Sequence, residues 1–356
     1  MPSSLCRATS SCRESPPERA YRDEAISTKI EGGLPVSSSS QPAIMAIMLE
    51  QLDVRPGMRV LEIGAGTGYN AALLQHLVGQ RGRVVTIDID PEVVGWARER
   101  LAAAGYPEVV VIEGDGADSW PAEAPYDRIE VTVGVPDIAP AWAEQLRLSG
   151  VLVLPLWVNT TQLSIAFEKG EDSTLRSRSA RPCGFMRIRG KLAGSERYVE
   201  VLPGVSLLSD DPDPPIEPLR ALLSERPRRS PWPVGLRESF WIYLALQGKP
   251  VLSLWAEDGA PVVFSRGAFG IMVAEAEPSL CLVTMSQDGE GVEALSYGGD
   301  TARERLEAAL DAWSSAGRPS FDALAVTAQP LATAPQAEPG PGVVETRWWR
   351  LRFAWR

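Results

Sequence analysis

A glutamate and three glycines form the stretch of this sequence whose residue types and spacing are best suited to chemistry. Glu62 precedes glycines at every second position, Gly64, Gly66 and Gly68. The apolar run at residues 58–63 predicts a buried strand, and the periodicity of residues 70–78 predicts a helix. Glycines at such a turn let the backbone approach a ligand closely. The stretch therefore predicts a nucleotide-binding turn, with a purely structural glycine turn as the alternative.

The glycine spacing argues against a phosphate site. It differs from Gly-x-Gly-x-x-Gly, and no Gly-Lys-Ser/Thr follows. The acid before the turn suits a ligand that carries an ammonium group. The Glu-x-Gly-x-Gly-x-Gly pattern resembles the S-adenosylmethionine (SAM) loop of Rossmann-like methyltransferases. This resemblance implies SAM as the cofactor and S-adenosylhomocysteine as the product.

Two further acids follow predicted strands of the same sheet. Asp88 ends the strand at residues 83–88, where a carboxylate can accept hydrogen bonds from both ribose hydroxyls of an adenosine. The alternative is a charge at the start of the next helix, but Asp90 suits that capping role better. Asp115 stands between two glycines after the third strand, where it can meet the adenine amino group.

A serine run lies upstream of the glycine turn. Residues 37–42 read Ser-Ser-Ser-Ser-Gln-Pro and lead into a predicted amphipathic helix that begins at Pro42. Serine runs are common in linkers, which is the alternative interpretation. Ser40 is predicted as the N-cap, with Pro42 in the first turn. Hydroxyl groups and free backbone N–H groups at a helix start can bind an anion such as a carboxylate.

Charge and composition limit the classes of function. The chain has 356 residues and a net charge of −11, which argues against nonspecific nucleic-acid binding. Its four cysteines are scattered without metal-ligand spacing, so we predict no metal and a cytoplasmic location. No apolar run reaches the ~18 residues of a membrane span. Residues 1–19 lack the apolar core of a signal peptide, so we predict no membrane association.

The order of predicted elements indicates an α/β fold followed by a second domain. Strands alternate with helices up to about residue 169, which is typical of a doubly wound, Rossmann-like sheet. The alternation at residues 162–168 predicts a further strand. Short apolar strands beyond residue 250, one of them at residues 260–264, and an amphipathic helix at residues 301–314 predict an α+β domain with a mostly antiparallel sheet. We assign residues 1–19 to a disordered or variable tail and 20–195 to a SAM-dependent methyltransferase domain. Residues 196–356 are assigned to an accessory domain with a structural or peptide-binding role.

Several motifs resemble, in order and spacing, those of the protein-L-isoaspartate O-methyltransferase family over about residues 21–169. They are Ser-Ser-Ser-Gln-Pro at 38–42, the glycine loop at 60–69, Gly-Asp-Gly at 114–116, Ala-Pro-Tyr-Asp-Arg-Ile at 124–129, and Gln-Leu at 145–146 and 162–163. The resemblance implies Ser40 as the catalytic residue beside the methyl-accepting carboxylate. It implies substrate contacts at Ser38, Ser39, Ser40 and Gln41. It also implies cofactor contacts at Glu62, Gly64, Ala65, Gly66, Thr67, Gly68, Asn70, Asp88, Ile89, Gly114, Asp115, Gly116 and Gln162.

The chain also departs from the usual pattern of that family. Ser-Ser-Ser at residues 38–40 replaces Thr-Ile-Ser, and residues 170–356 extend beyond the family domain. Together with Gly-Thr-Gly-Tyr-Asn at residues 66–70, these features resemble a branch associated with ribosomally made modified peptides such as lanthipeptides, lasso peptides and graspetides. That resemblance implies methylation of an aspartyl side chain in a cyclised precursor peptide, whose ester collapses to aspartimide and isoaspartate. The alternatives are repair of L-isoaspartyl residues in damaged proteins, and a SAM- or peptide-binding accessory protein without turnover.

Methylation of a carboxylate requires no general base, because aspartyl carboxylates are ionised near neutral pH. The single histidine, His76, lies within the predicted helix after the glycine loop and is assigned a surface or packing role. Catalysis would consist mostly of aligning the carboxylate oxygen with the methyl group. We expect Ser40 to hold that oxygen by a hydrogen bond.

Overall fold

The computed structural model describes residues 22–31, 34–248, 251–264, 266–275, 277–334 and 340–356. The tail predicted over residues 1–19 lies outside these ranges. The described chain forms two large sheets and one two-stranded sheet. None of its described helices is long and apolar enough to cross a membrane.

The described chain begins with a hairpin that leads into a helix. β1 (Ile26–Glu31) and β2 (Leu34–Ser39) pair antiparallel, and α1 (Pro42–Leu52) follows. The serine run therefore lies largely in a paired strand, so the linker interpretation is wrong. Lys29 ties the hairpin to the rest of the molecule, because its Nζ lies 2.7 Å from the Asp90 carboxylate.

The larger sheet has a parallel core that carries the glycine turn. Its parallel strands are β3 (Arg59–Ile63), β4 (Arg83–Asp88), β5 (Val110–Glu113), β6 (Tyr126–Val131) and β7 (Leu146–Val158). They lie in the order β7-β6-β3-β4-β5, which places the switch in connection direction beside β3. The connecting helices are α2 (Tyr69–Val78), α3 (Pro91–Ala103) and α4 (Pro140–Gln145). Because helices cover both faces, residues such as Val60 and Leu61 are fully buried, and ligands are expected at the carboxyl ends of the strands.

Two antiparallel strands extend this sheet beyond β7. β8 (Thr161–Lys169) pairs with β7, and β9 (Leu175–Pro182) pairs with β8. The alternation predicted for residues 162–168 is therefore confirmed as a strand. Both strands are long and apolar towards the core, where Phe167 and Ala180 are fully buried.

A second sheet follows and is antiparallel throughout the described residues. Its strands are β10 (Arg197–Leu202), β11 (Val205–Ser209), β12 (Arg228–Pro231), β13 (Leu252–Ala256), β14 (Arg266–Val273), β15 (Ser279–Met285) and β16 (Val292–Gly298). They lie in the order β10-β11-β13-β14-β15-β16-β12. Three helices accompany the sheet: α5 (Ile216–Leu223), α6 (Phe240–Leu246) and α7 (Thr301–Ser315). The antiparallel α+β character and the helix predicted at 301–314 are confirmed.

One strand predicted in this region is absent from the described structure. Residues 260–264 form a turn, in which Ala260 N donates to Glu257 O at 3.2 Å and Val262 N donates to Ala260 O at 2.8 Å. Pro261 has no backbone N–H to contribute to a strand ladder, and Gly259 precedes it in a left-handed conformation with φ +87°. The continuous apolar run of this segment, Ala-Pro-Val-Val-Phe, was therefore misleading.

The C-terminal strands return to the first sheet. β17 (Leu324–Pro330) pairs with β9 and with β19 (Trp349–Trp355), and β18 (Val343–Glu345) pairs with β19. The predicted domain boundary at residue 195 assigns these strands to the second unit. Their hydrogen bonds, however, place them in the larger sheet of the first unit. The second sheet is thus an insertion between two neighbouring strands, β9 and β17, of the larger sheet.

A buried carboxylate fastens the C-terminal strands to the parallel core. Asp137, which is 4% exposed, accepts hydrogen bonds from Ile138 N, Thr346 Oγ1 and Trp348 N. Trp349 Nε1 donates to Ile138 O at 2.9 Å. Burial raises the pKa of Asp137, and the three donors lower it. Residues more than 200 positions apart in sequence are therefore joined directly beside β6.

Candidate functional site

One cavity of about 990 Å³ lies at the carboxyl ends of the parallel strands. Its walls include the glycine loop with Asp88, the end of β2 with the start of α1, and one face of the second sheet, and residues 181–189 contribute a further part. The first two parts contain the motifs predicted to bind cofactor and substrate. The fold therefore brings the two motifs and a part of the second sheet to the same space.

The glycine loop has a backbone that side chains would obstruct. Gly64 has φ +101°, and a Cβ there would lie 2.6 Å from Thr132 Oγ1. Gly66 has φ +50°, and its Cβ would lie 3.4 Å from the Ser38 carbonyl oxygen. Thr132 Oγ1 also donates to Gly64 O at 2.9 Å, which fixes the loop. The bare loop thus leaves room for a ligand such as SAM, while it packs directly beneath the serine strand.

The third glycine of the motif has a packing role. Gly68 is the N-cap of α2 with φ +77°, and a Cβ would lie 3.1 Å from Leu101 Cγ of α3. It is not among the residues that line the cavity. The predicted cofactor contact at Gly68 therefore has no support in the geometry of the described residues.

Asp88 lies at the cavity wall and is oriented by the backbone. Its Oδ2 accepts a hydrogen bond from Gly66 N–H and its Oδ1 one from Asp90 N–H, both at 3.1 Å. Burial raises the pKa of Asp88, while these two bonds lower it. Asp90 is the N-cap of α3 and accepts from Glu92 N and Val93 N, so its predicted capping role is confirmed. Asp88 remains placed to accept hydrogen bonds from ribose hydroxyls.

Asp115 is positioned differently from the prediction. Its Oδ1 accepts from Ala117 N at 3.0 Å and its Oδ2 from Lys191 N at 2.7 Å. Neither Asp115 nor Gly114 lines the cavity, although Gly116 does. The carboxylate thus fastens a turn near residue 190 across the end of β5. An adenine contact through Asp115 stays a prediction.

Two buried carboxylates lie below the glycine loop. Asn70 Nδ2 donates to Glu62 Oε1 at 2.7 Å and to Glu130 Oε2 at 2.8 Å, and Thr86 Oγ1 donates to Glu62 Oε2 at 2.5 Å. Burial raises the pKa of Glu62 to about 8, with a further rise from nearby Glu130. Burial also raises the pKa of Glu130 to about 7. A cationic ligand in the cavity would favour the ionised form of both groups.

Glu130 was missed at the sequence level. The local sequence gave little signal, because β6 reads Tyr-Asp-Arg-Ile-Glu-Val and three of its six residues are charged. Only the structure shows that Glu130 is buried, at 1% exposure. Asn70 was predicted as a cofactor contact, and it lines the cavity. Its amide nitrogen is engaged by both carboxylates, which fixes its orientation.

The serine strand meets the start of α1 at the opposite wall. The four residues predicted to contact substrate all line the cavity: Ser38, Ser39, Ser40 and Gln41. The N-cap of α1 is Gln41 and not Ser40, because Pro42 is already the first helical residue. The prediction of Ser40 as N-cap is therefore wrong, and its hydroxyl is not committed to the helix as a cap.

The backbone at the start of α1 is bonded by an acid of the chain itself. Asp23 Oδ1 accepts from Ala43 N at 2.9 Å, and its Oδ2 accepts from Gln41 Nε2 at 2.8 Å. The backbone N–H groups at this helix start were expected to bind the methyl-accepting carboxylate. One of them, Ala43 N–H, is already bonded to Asp23. Local sequence gave no sign of this contact, because 20 residues separate Asp23 from Ala43.

Most of the predicted cofactor residues come together. Ten of them line the cavity: Glu62, Gly64, Ala65, Gly66, Thr67, Asn70, Asp88, Ile89, Gly116 and Gln162. Gln162 is also a clamp, since its Oε1 accepts from Phe185 N at 2.5 Å and its Nε2 donates to Phe185 O at 3.3 Å. His76 lies outside the cavity, 3.3 Å from the Tyr106 hydroxyl. Within the described ranges, no group of His, Cys, Asp and Glu side chains could hold a metal ion.

Comparison with known proteins agrees with this geometry. The family model described as "Protein-L-isoaspartate(D-aspartate) O-methyltransferase" matches residues 10–193. A protein-L-isoaspartate O-methyltransferase of Methanopyrus kandleri is 42% identical over 175 residues, which is 49% of this chain and 75% of that protein. Protein-L-isoaspartate O-methyltransferase 1 of Archaeoglobus fulgidus is 42% identical over 178 residues, 49% of this chain and 79% of that one.

A solved structure extends the similarity into the second unit. It is described as a protein-L-isoaspartate O-methyltransferase, is 27% identical to this chain and has a TM-score of 0.50. The match covers 88% of this chain and 86% of the other. Together with the glycine loop and the serine strand in one cavity, these matches show that the chain belongs to the protein-L-isoaspartate(D-aspartate) O-methyltransferase family and is an enzyme that uses S-adenosylmethionine as its cofactor.

Proposed function

We propose that this enzyme methylates the free carboxylate of L-isoaspartyl residues in damaged polypeptides. The observation that carries the proposal is the contact between the serine strand and the glycine loop. The position of a Cβ on Gly66 lies 3.4 Å from the Ser38 carbonyl oxygen. A carboxylate held at the serine strand would therefore lie next to a cofactor held by the loop.

The residues of the cavity suit the transfer of a methyl group to an ionised oxygen. SAM supplies an electrophilic methyl group on its sulfonium sulfur. The carboxylate oxygen forms the new O–CH₃ bond as the S–CH₃ bond breaks, which leaves S-adenosylhomocysteine and a methyl ester. No proton has to be removed, in accord with the position of His76 outside the cavity. In this mechanism Ser40 orients the accepting oxygen, Asp88 holds the ribose hydroxyls, and alignment supplies most of the rate gain.

L-isoaspartyl residues of damaged polypeptides have more support as the substrate than a modified precursor peptide. The relatives described above are named for protein L-isoaspartate. The precursor-peptide hypothesis depended on the length of the chain beyond residue 169. A solved protein-L-isoaspartate O-methyltransferase is similar over 88% of the chain, so that length does not by itself indicate a separate branch. Its remaining sequence features are the serine box and Gly-Thr-Gly-Tyr-Asn at residues 66–70.

The experiment compares full-length wild type with Ser40→Ala on two short linear peptides, one with isoaspartate and one with aspartate at the same position. We expect wild type to form the methyl ester of the isoaspartyl peptide, and Ser40→Ala to lower that rate on the order of tenfold or more. The affinity for SAM should change little, because Ser40 belongs to the opposite wall. Mass spectrometry follows the ester, and calorimetry measures the SAM affinity.

Each outcome of this comparison separates the candidate functions. Turnover of neither linear peptide, combined with turnover of a cyclised precursor, would favour the modified-peptide substrate. Wild-type rates for Ser40→Ala would remove Ser40 from the reaction. SAM binding without any methyl transfer would indicate an accessory protein.

A further inference from the structure

The second sheet turns one face towards the same cavity as the cofactor loop. Tyr198, Leu208, Ser253 and Phe269 are directly paired neighbours across β10, β11, β13 and β14. Trp255 lies two residues beyond Ser253 and therefore points to the same side of the sheet. All five residues line the cavity. We call this set, Tyr198, Leu208, Ser253, Trp255 and Phe269, the aromatic face.

Two aromatic side chains of this face are exposed, whereas the reverse side of the same strands is buried. Tyr198 is 64% exposed and Trp255 is 51% exposed. Their neighbours on the other side, Leu207 and Leu254, are each 1% exposed and pack in one cluster with Leu219 of α5. Large apolar side chains that remain exposed inside a cavity are typical of a binding surface.

Space is left open directly beside Trp255. Its partner across the strands is Gly267, and a Cβ on Gly267 would meet nothing within 4 Å. Phe269 closes the other end of the face, where it packs against Trp241 at a ring-centroid distance of 5.5 Å. A large side chain from outside can therefore lie against the Trp255 ring.

Arg187 joins the aromatic face to the first sheet. Its guanidinium lies 5.2 Å from the Tyr198 ring centroid and 5.8 Å from that of Trp157, close enough for cation–π contact with both. Its Nη1 donates to Glu196 O, whereas its Nη2 is buried without a hydrogen-bond partner among the described residues. A buried charged donor without a partner is costly, so this atom is suited to an incoming oxygen.

We propose that the aromatic face binds the segment of the substrate polypeptide next to the methyl-accepting residue. A large apolar side chain within three residues of that acceptor packs on Trp255 and Tyr198, and a main-chain carbonyl or carboxylate oxygen accepts from Arg187. This inference rests on the proposed function and adds a specificity to it: isoaspartyl residues flanked by tryptophan or leucine are preferred over those in polar segments. Segments of this kind are mostly buried in folded proteins and become exposed when a polypeptide unfolds.

The test uses isoaspartyl peptides that carry either tryptophan or serine at each position within three residues of the acceptor. The proteins are full-length wild type, Trp255→Ala and Met285→Ala. Met285 is a matched control, because it is an exposed apolar residue (48%) of the same sheet that does not line the cavity. Two quantities are measured: kcat/KM, and calorimetric affinity for the peptide in the presence of S-adenosylhomocysteine.

Wild type and Met285→Ala should prefer the tryptophan peptide at one or more positions by about tenfold in kcat/KM, mostly through KM. Trp255→Ala should lose that preference, so that its kcat/KM for the tryptophan peptide falls to about its value for the serine peptide. Met285→Ala should keep the wild-type kcat/KM for both peptides and the wild-type SAM affinity. Arg187→Lys keeps the positive charge but has no counterpart of the Nη2 donor. This variant should therefore raise KM for both peptides.

Equal kcat/KM and equal affinity of wild type for all the peptides would overturn the inference. Full retention of the tryptophan preference in Trp255→Ala would overturn it as well. The binding arm separates this inference from the proposed function. If no peptide is methylated but tryptophan-dependent affinity is present in wild type and lost in Trp255→Ala, the aromatic face stands and the repair function fails.

Discussion

The two large sheets line the shared cavity in different ways: the first with the ends of its strands, the second with one of its faces. The first sheet contributes strand ends, where backbone N–H groups and carboxylates such as Asp88 are held in fixed directions. The second contributes a face, where exposed aromatic side chains provide area without fixed polar partners. Strand ends suit a ligand of constant shape, whereas a sheet face suits segments of varied sequence. Under the proposed function, this difference would let the enzyme bind one cofactor strictly and many polypeptides loosely.

The largest expected effect tests how much the packing of the C-terminal strand β19 against the first sheet contributes to the free energy of unfolding. Trp349 is 3% exposed and donates to Ile138 O. Trp349→Ala should lower the free energy of unfolding by about 3–5 kcal/mol, because it removes a buried indole and leaves a cavity. Trp355→Ala is the control, since that ring is half-buried and should cost less. Denaturant unfolding measures both, and an equal loss from the two variants would contradict this expectation.

A smaller effect is expected at the strand ends. Asp88→Ala should weaken SAM binding by about 1.5–3 kcal/mol, because the ribose hydroxyls lose a charged acceptor. Asp115→Ala should weaken it less, since both oxygens of Asp115 are engaged by backbone N–H groups outside the cavity wall. Calorimetric titration with SAM measures the two variants. A greater loss of SAM affinity in Asp115→Ala than in Asp88→Ala would show that Asp115, and not Asp88, is the main carboxylate that binds the cofactor.

The smallest effect concerns the two buried glutamates. Glu62 and Glu130 keep their protons up to pKa values of about 8 and about 7 in the folded chain, but ionise near 4.3 when unfolded. The folded state therefore binds more protons between these values, and the free energy of unfolding should fall as the pH rises from 5 to 8. Glu130→Gln should reduce that fall by on the order of 1–2 kcal/mol. Unfolding curves at each pH provide the measurement, and an unchanged slope would show that Glu130 does not titrate in this range.

Sequence alone predicted the strand ends well, because their information is local. The spacing of the glycines, the cap at Asp90 and the acid at Asp88 each lie within a few residues of the turn they shape. The failures involve contacts across long separations. Asp23 reaches the start of α1 from 20 residues away. The cap is a separate, local error: proline favours the first helical position, which places the cap at Gln41 directly before Pro42.

The second unit was predicted in type but not in placement. Alternating apolar residues indicated antiparallel strands, and the helix at Thr301–Ser315 was recognised from its apolar stripe. Alternation gives the face that a strand buries, but not the strand with which it pairs. The closing strand β19 was therefore assigned to the second unit, although it pairs with β17 in the first sheet.

The return of the chain to the first sheet also determines when that sheet can be completed during synthesis: β17 can pair with β9 only after the inserted sheet has been made. Val326 N donates to Ser177 Oγ, and 149 residues separate the two. While the ribosome makes the inserted sheet, β9 must wait with an unpaired edge, which is a site for pairing with other chains. Domains generally fold as they emerge from the ribosome. We therefore expect a nascent chain stalled before residue 324 to aggregate more readily than the finished enzyme, and its cofactor half to gain full stability only after release.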